Sequence, residues 1–194
     1  EQVLASGRAD LQRGLERTKW QPTRAQTVVD IGCGVGRMSQ ALAEYAGRVV
    51  GVDIAPALLA EAREKNRAPH VSFEQLDGRN ILVKSVAAAD AVFSYEVLYL
   101  IPPPIVATYF QDIFALLKPE GEFVFQMNLH PMGWKTHVAR RIRGLLRLAG
   151  VKEWRGWPTS TQLRRYPYDR KWVCRTLADA GFQVVRVAGD NLKQ

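Results

Sequence analysis

Cysteine is nearly absent, with only Cys33 and Cys174 among 194 residues. That count does not support a disulfide framework, and reduced thiols are expected. Long apolar runs are missing too. The longest stretches, such as residues 97–101, fall far short of the roughly 20 residues needed to cross a bilayer. No signal peptide opens the chain, so a cytoplasmic setting is expected. Histidine is limited to three residues, and no His, Cys or carboxylate cluster shows metal-ligand spacing, so no metal is expected. Repeats and low-complexity tracts are also lacking. The sequence starts at Glu1 rather than Met and its last strand-like run stops close to Gln194, from which trimmed ends are expected.

With 47% hydrophobic and 24% charged residues, the chain has an ordinary globular composition, and its length fits one domain spanning residues 1–194. The net charge of +8 is unevenly placed. Residues 1–134 carry 13 basic and 15 acidic groups, whereas residues 135–175 carry 12 and 2. The basic character belongs to one segment rather than to the whole fold.

Strand-length apolar runs at residues 27–31, 48–53, 71–76, 89–94, 122–128 and 182–187 alternate with helical patterns at 37–45, 56–65, 105–117 and 169–180. This alternation predicts an α/β fold with a doubly wound, mostly parallel sheet. Residues 1–26 form an N-terminal helix and linker, with Leu4, Leu11 and Leu15 as docking residues; whether the helix covers the sheet edge or a ligand stays open. The alternation fails at residues 130–168, an arginine-rich stretch containing Trp134, Trp154 and Trp157, which is read as a basic insert or lid between strands 5 and 6. Within it Val138, Ile142, Leu145, Leu146 and Ala149 share one helical face.

The run Val28-Val29-Asp30-Ile31-Gly32-Cys33-Gly34-Val35-Gly36-Arg37 reads as a buried strand, a glycine-rich turn and a helix start. Glycines there permit positive φ and let the backbone approach a ligand at the helix N-terminus. Taken singly, Gly32, Gly34 and Gly36 could merely shape a turn, Asp53 could cap the next helix, and Asp77 could be a turn residue. The spacing G-x-G-x-G, with Asp30 two residues ahead, differs from the G-x-G-x-x-G of dinucleotide sites.

These residues resemble the first motif of the class I (Rossmann-like) S-adenosylmethionine-dependent methyltransferases, D-x-G-x-G-x-G. Further matches follow in order: Val49-Val50-Gly51-Val52-Asp53, Leu76-Asp77-Gly78, Asp90-Ala91-Val92-Phe93-Ser94, and Leu117-Lys118-Pro119-Glu120-Gly121, where Glu120 replaces a frequent glycine. The resemblance covers roughly residues 27–128 and implies a seven-strand-type sheet, with the last strand expected to be absent here. It implies S-adenosylmethionine as cofactor and S-adenosylhomocysteine as product. Its cofactor-binding positions are Asp30, Gly32, Cys33, Gly34, Gly36, Asp53, Ile54, Asp77, Gly78 and Ser94. Asp53 would meet the ribose hydroxyls, Ile54 would stack on adenine and Asp77 would meet its amino group. Asp30 acts in the family through water or backbone groups near the methionine moiety, and the Cys33 side chain is expected to be bland.

Methyl transfer from a sulfonium needs alignment, exclusion of water and, for a hydroxyl acceptor, a base. Candidates emerging near the ends of strands 4 and 5 are His130, Glu96 and Tyr95, with His137 a weaker one; His70 reads as a loop residue on the remote side. No N/D-P-P-Y/F run follows strand 4, which disfavours methylation of nucleic-acid bases, and a nucleic-acid partner is not expected. A small-molecule acceptor with an oxygen nucleophile is the primary expectation, anionic or sugar-like where the arginines or tryptophans of the insert grip it. The alternatives are a membrane-associated lipid or quinone, reached by peripheral contact of the basic insert, and a non-catalytic domain that binds the cofactor or its product. Oligomeric state is not legible.

Overall fold

The computed structural model describes residues 2–129 and 166–189, together with Ile142, Leu145, 149–150, 153–154 and 157–158. Five strands make one sheet: β1 (Thr27–Ile31), β2 (Arg48–Asp53), β3 (Val71–Gln75), β4 (Ala89–Ser94) and β5 (Leu117–Phe125). Their order is β3-β2-β1-β4-β5, and every pairing is parallel. Valine and alanine dominate the interior strands because both faces of a parallel sheet are covered. From β1 the chain builds outward through β2 and β3, then returns to add β4 and β5 on the other side. A crevice therefore opens at the carboxyl ends of β1 and β4, where ligands bind in sheets of this kind.

The helices are α1 (Gln2–Thr18), α2 (Arg37–Leu42), α3 (Pro56–Lys65), α4 (Pro103–Leu116) and α5 (Arg170–Asp179), and a 3-10 turn spans Leu98–Leu100. Proline opens α3 and α4, where a missing N–H costs nothing. Asp169 caps α5 by accepting the Trp172 N–H at 3.2 Å. Alternating side chains feed two cores. Val29, Ile31, Val50, Val52 and Val92 join residues of α4 and α5, whereas Val28, Val49, Ala91 and Phe93 join Leu11, Trp20 and α2.

Helix α1 lies against α2 rather than over a sheet edge. Gly7 makes the approach possible, since a Cβ there would come within 2.5 Å of the Arg37 carbonyl oxygen. Ion pairs of Arg8 with Glu44 and of Asp10 with Arg37 flank the contact. Leu11 is buried and Leu15 half-buried, as expected of docking residues. Residues Glu153–Trp154 (β6) and Trp157–Pro158 (β7) form a short antiparallel hairpin within the predicted insert.

Two expectations are corrected. Residues 182–187 form no strand. Phe182 packs against Phe114 and Phe123, but Val185 is 90% exposed. An apolar pattern becomes a strand only beside a hydrogen-bonding neighbour, and among the described residues β5 pairs with β4 alone. Strand β5 also begins five residues before the expected Glu122, because Leu117 already pairs with Ala89 before the chain bulges and rejoins at Ala91 and Glu122. Glu120 sits in that bulge with φ 63°.

Candidate functional site

The glycine turn closes on the neighbouring strand. Gly32 and Cys33 donate their N–H groups to the Val52 carbonyl at 2.7 and 3.0 Å, and Gly36 donates to the Cys33 carbonyl at 2.9 Å. All three glycines have positive φ, between 53° and 79°. Their surroundings differ. A Cβ on Gly32 would overlap Val97 at 2.3 Å and one on Gly36 would overlap Phe73 at 2.8 Å, so both are also required by packing. At Gly34 a Cβ would meet nothing nearer than Leu58 Cδ1 at 4.0 Å, so the middle glycine faces open space.

Asp53 ends β2 beside this opening. Its Oδ2 accepts the Gly34 N–H and its Oδ1 accepts the Ala55 N–H, each at 2.9 Å. It thus ties the glycine turn to the segment that enters α3, whose N-cap residue is Ala55, with no side-chain cap on the helix itself. Ile54, the next residue, is 59% exposed although apolar, and its Cγ2 lies 3.2 Å from where a Cβ on Gly78 would stand. Asp77 folds back on its own loop by accepting the Arg79 N–H at 2.8 Å.

These features form a crevice over β1, β2 and β3, with an open glycine backbone, a carboxylate and an exposed apolar residue next to a glycine. They fit a nucleoside: each Asp53 oxygen retains a lone pair for a hydroxyl, and Ile54 offers a flat apolar contact.

Asp30, Cys33 and Ser94 are buried. Asp30 is 1% exposed and accepts the Ser39 hydroxyl at 2.6 Å. Burial pushes its carboxyl up to about 6, the Ser39 bond opposes this, and the Asp53 charge adds to it. Gly51 makes room, since a Cβ there would come within 2.7 Å of Ser39 Oγ. Burial also raises the Cys33 thiol, which suits an inert side chain. Ser94, fully buried, donates to the Ile31 carbonyl at 3.1 Å and ties β4 to the end of β1.

At the ends of β4 and β5 a second set of groups gathers. The Tyr95 ring stacks on Phe93, which stacks on Trp20, and the Arg37 guanidinium lies 5.5 Å from the Tyr95 centroid. Burial, with the charges of Asp10 and Glu96, holds the Tyr95 hydroxyl above its usual value. Glu96 is exposed and has φ 60°, a strained conformation for a side chain of its type. Gln126 supports it by accepting the Glu96 N–H at 3.2 Å, and in turn donates to Asn128 Oδ1 at 3.0 Å.

Leu129 bridges Tyr168, whose hydroxyl donates to the Ile101 carbonyl at 2.6 Å. Both ends of the basic segment are therefore anchored at this place. His130, His137 and most of the insert lie outside the described residues, and His70 contacts the Ala43 carbonyl on the remote side, as a loop residue would. Arg37, Ser39, Gly51, Gln126 and Asn128 were not among the expected site residues; the alternation of β1 could have paired Asp30 with a polar residue on α2, but nothing local marks Gln126. Among the described residues no group of His, Cys, Asp and Glu could hold a metal, and no helix is long and apolar enough to cross a membrane.

Comparison with known proteins adds to this geometry. Residues 28–121 match the methyltransferase domain family. The chain is 30% identical over 125 residues to a ubiquinone biosynthesis O-methyltransferase of Pseudomonas paraeruginosa, covering 61% of this chain and 53% of that protein. It is 35% identical over 118 residues to the trans-aconitate 2-methyltransferase of Escherichia coli, covering 59% and 43%. The chain thus spans about half the length of the curated relatives it matches. Two solved structures share the fold. A protein from Bacillus halodurans C-125 superposes with a TM-score of 0.69 at 19% identity, over 90% of this chain and 69% of that one. The magnesium protoporphyrin IX methyltransferase of Synechocystis PCC 6803, with bound S-adenosylhomocysteine, gives 0.62 at 22% identity, over 95% and 74%. The glycine turn latched by Asp53 falls inside residues 28–121, the part of the chain that matches the methyltransferase domain family.

Proposed function

We propose that this chain transfers a methyl group from S-adenosylmethionine to a small-molecule acceptor through an oxygen nucleophile, in a cytoplasmic setting. The observation that carries the reading is the Asp53–Gly34 latch beside an open glycine face, with Ile54 and Gly78 adjoining. The cofactor supplies an activated methyl on a positively charged sulfur. The chain's own task is to bind, align and exclude water. Asp53 binds the ribose hydroxyls, Ile54 and Gly78 border the adenine, and Asp30 acts indirectly by fixing β1 to α2.

The acceptor belongs over the ends of β4 and β5. The strain at Glu96 and the Gln126–Asn128 pair behind it support that placement, because strain of this kind persists where surroundings over-determine it. Glu96 and Tyr95 orient the acceptor, and His130, the residue following the anchored Leu129, takes the hydroxyl proton. Residues 130–168 act as the acceptor-side lid of a single domain spanning residues 1–194. The oxygen assignment draws support from the relative named an O-methyltransferase.

A second reading, methylation of a membrane-associated lipid or quinone, is favoured by one observation. Ile142 and Leu145, helical residues within the segment of 12 basic groups, are 37% and 67% exposed, as an apolar face that rests on an anionic surface would be. Salt-sensitive partition onto anionic vesicles would support it.

Calorimetric titration with S-adenosylmethionine, S-adenosylhomocysteine and a nicotinamide dinucleotide tests the cofactor. Binding of the two sulfur compounds alone is expected. Tight binding without turnover across an acceptor panel would instead favour a non-catalytic binding domain, and preference for the dinucleotide would overturn the reading. His130→Ala should lower turnover without a matching loss of cofactor affinity; full activity would dismiss His130 as the base.

A further inference from the structure

We propose that Tyr109 and Asp112 of α4 are positioning residues for purine recognition, holding the loop after β3 so that Asp77 and Gly78 read the 6-amino group of adenine. The inference rests on the adenine reading of Asp77 and Gly78 given above and adds a pair of residues distant from it in sequence.

The loop fixes its own shape locally. Asp77 Oδ1 accepts the N–H groups of Arg79 and Asn80, at 2.8 and 3.4 Å. Those bonds set the Asp77 side chain relative to its loop, but not the loop relative to the sheet. Two bonds from α4 do that. The Tyr109 hydroxyl donates to the Gly78 carbonyl at 2.9 Å, and Asp112 Oδ2 accepts the Ile81 N–H at 2.9 Å. Positions 109 and 112 lie three apart and so share one face of the helix. The Tyr109 ring is buried in the core with Phe110 and Ile113, and only its hydroxyl reaches the loop. Burial, with the charges of Asp77 and Asp112, holds that hydroxyl above its usual value, which keeps it a donor. Beyond the second bond, Ile81 and Val83 are buried and anchor the far side.

Gly78, φ 80°, is therefore held from two directions: its carbonyl by Tyr109 and its Cα against Ile54. A loop pinned this way presents its acceptors at a fixed height above the crevice. An amino group can donate to such acceptors; the carbonyl that hypoxanthine carries at the same ring position meets them lone pair to lone pair.

The test compares S-adenosylhomocysteine with S-inosylhomocysteine by calorimetry, for wild type, Tyr109→Phe, Asp112→Ala, Asp112→Asn and Asp77→Ala, with thermal unfolding as the check on folding. Wild type is expected to prefer the adenosine compound by roughly tenfold or more. Asp77→Ala abolishes the preference, and Tyr109→Phe and Asp112→Ala reduce it to about threefold or less, the ribose and turn contacts being untouched. Asp112→Asn retains it, since an amide oxygen still accepts the Ile81 N–H. Should Tyr109→Phe fail to fold, the two Asp112 variants carry the comparison. A preference kept in full by Tyr109→Phe or Asp112→Ala, while Asp77→Ala loses it, overturns the positioning role and leaves the adenine reading standing. A wild type without preference, or Asp77→Ala that keeps it, removes the adenine reading and the positioning role with it.

Discussion

Asp53 Oδ2 and the Gly34 N–H, 2.9 Å apart, join the end of β2 to the turn that leaves β1. Asp53 Oδ1 meanwhile accepts the Ala55 N–H. Both oxygens are committed to backbone donors, yet each can accept again. One side chain therefore shapes the glycine turn and presents acceptors to a ligand.

Asp53→Ala should weaken S-adenosylmethionine binding by about 1–3 kcal/mol, the range for hydrogen bonds to a charged group. Asp53→Asn should be nearly as damaging, because its NH2 group would face one of the two backbone N–H groups. Calorimetry measures both, and an unchanged affinity in Asp53→Ala would remove the ribose assignment.

Gly32 and Gly34 look alike in the sequence and should behave differently when changed to alanine. Both carry the cost of a left-handed side chain, about 1–2 kcal/mol. Gly32→Ala adds an overlap with Val97, so stability should fall further and expression should suffer. Gly34→Ala finds open space, so the fold should persist while the new methyl occupies the face a ligand approaches. Melting temperature and cofactor affinity separate the two; equal loss of stability in both variants would mean that the space at Gly34 is structural.

Strands β1, β2 and β4 were legible because they are short, mostly apolar runs between turn residues, as buried parallel strands are, and β3 because Val71 and Phe73 alternate with Ser72 and Glu74. The Asp53 and glycine positions were legible because backbone chemistry demands particular residue types there. Residues 182–187 misled, since Val184, Val185 and Val187 carry strand propensity but find no pairing strand among the described residues. The role of Asp30 was legible only in part: its place before the glycines marks it, whereas the Ser39 hydroxyl that receives it comes from the far side of the turn. Gln126, Asn128, Tyr109 and Asp112 act across elements, and such contacts leave no local pattern.

Glu120 occupies a left-handed position, φ 63°, in the bulge that starts β5. Glycine adopts that conformation freely but loses more freedom on folding, so the two effects partly offset. Glu120→Gly should raise stability by roughly 0.5–1 kcal/mol, or about 1–4 °C in melting temperature for a chain of this size. A lower melting temperature would show that the Glu120 side chain contributes more than its backbone costs.

Asp30 should make the ligand-free protein less stable as pH rises. Burial lifts its carboxyl to about 6 from an ordinary 3.8, so between those values the folded state holds a proton that the unfolded chain has released. The stabilisation is complete below the unfolded value and is lost as pH rises through the folded one. A shift of this size corresponds to roughly 3 kcal/mol at most, of which about 1–2 kcal/mol should separate pH 5 from pH 7.5. Asp90 works oppositely and at lower pH: the Lys118 ammonium and the Thr27 N–H hold its carboxyl below the usual range, so its contribution is lost only as pH falls through that depressed value. Asp30→Asn keeps an oxygen for the Ser39 hydroxyl and removes the titration, and it should flatten the stability profile above about pH 5. Urea unfolding at the two pH values measures this, and a slope that survives in the variant would assign the effect to another group.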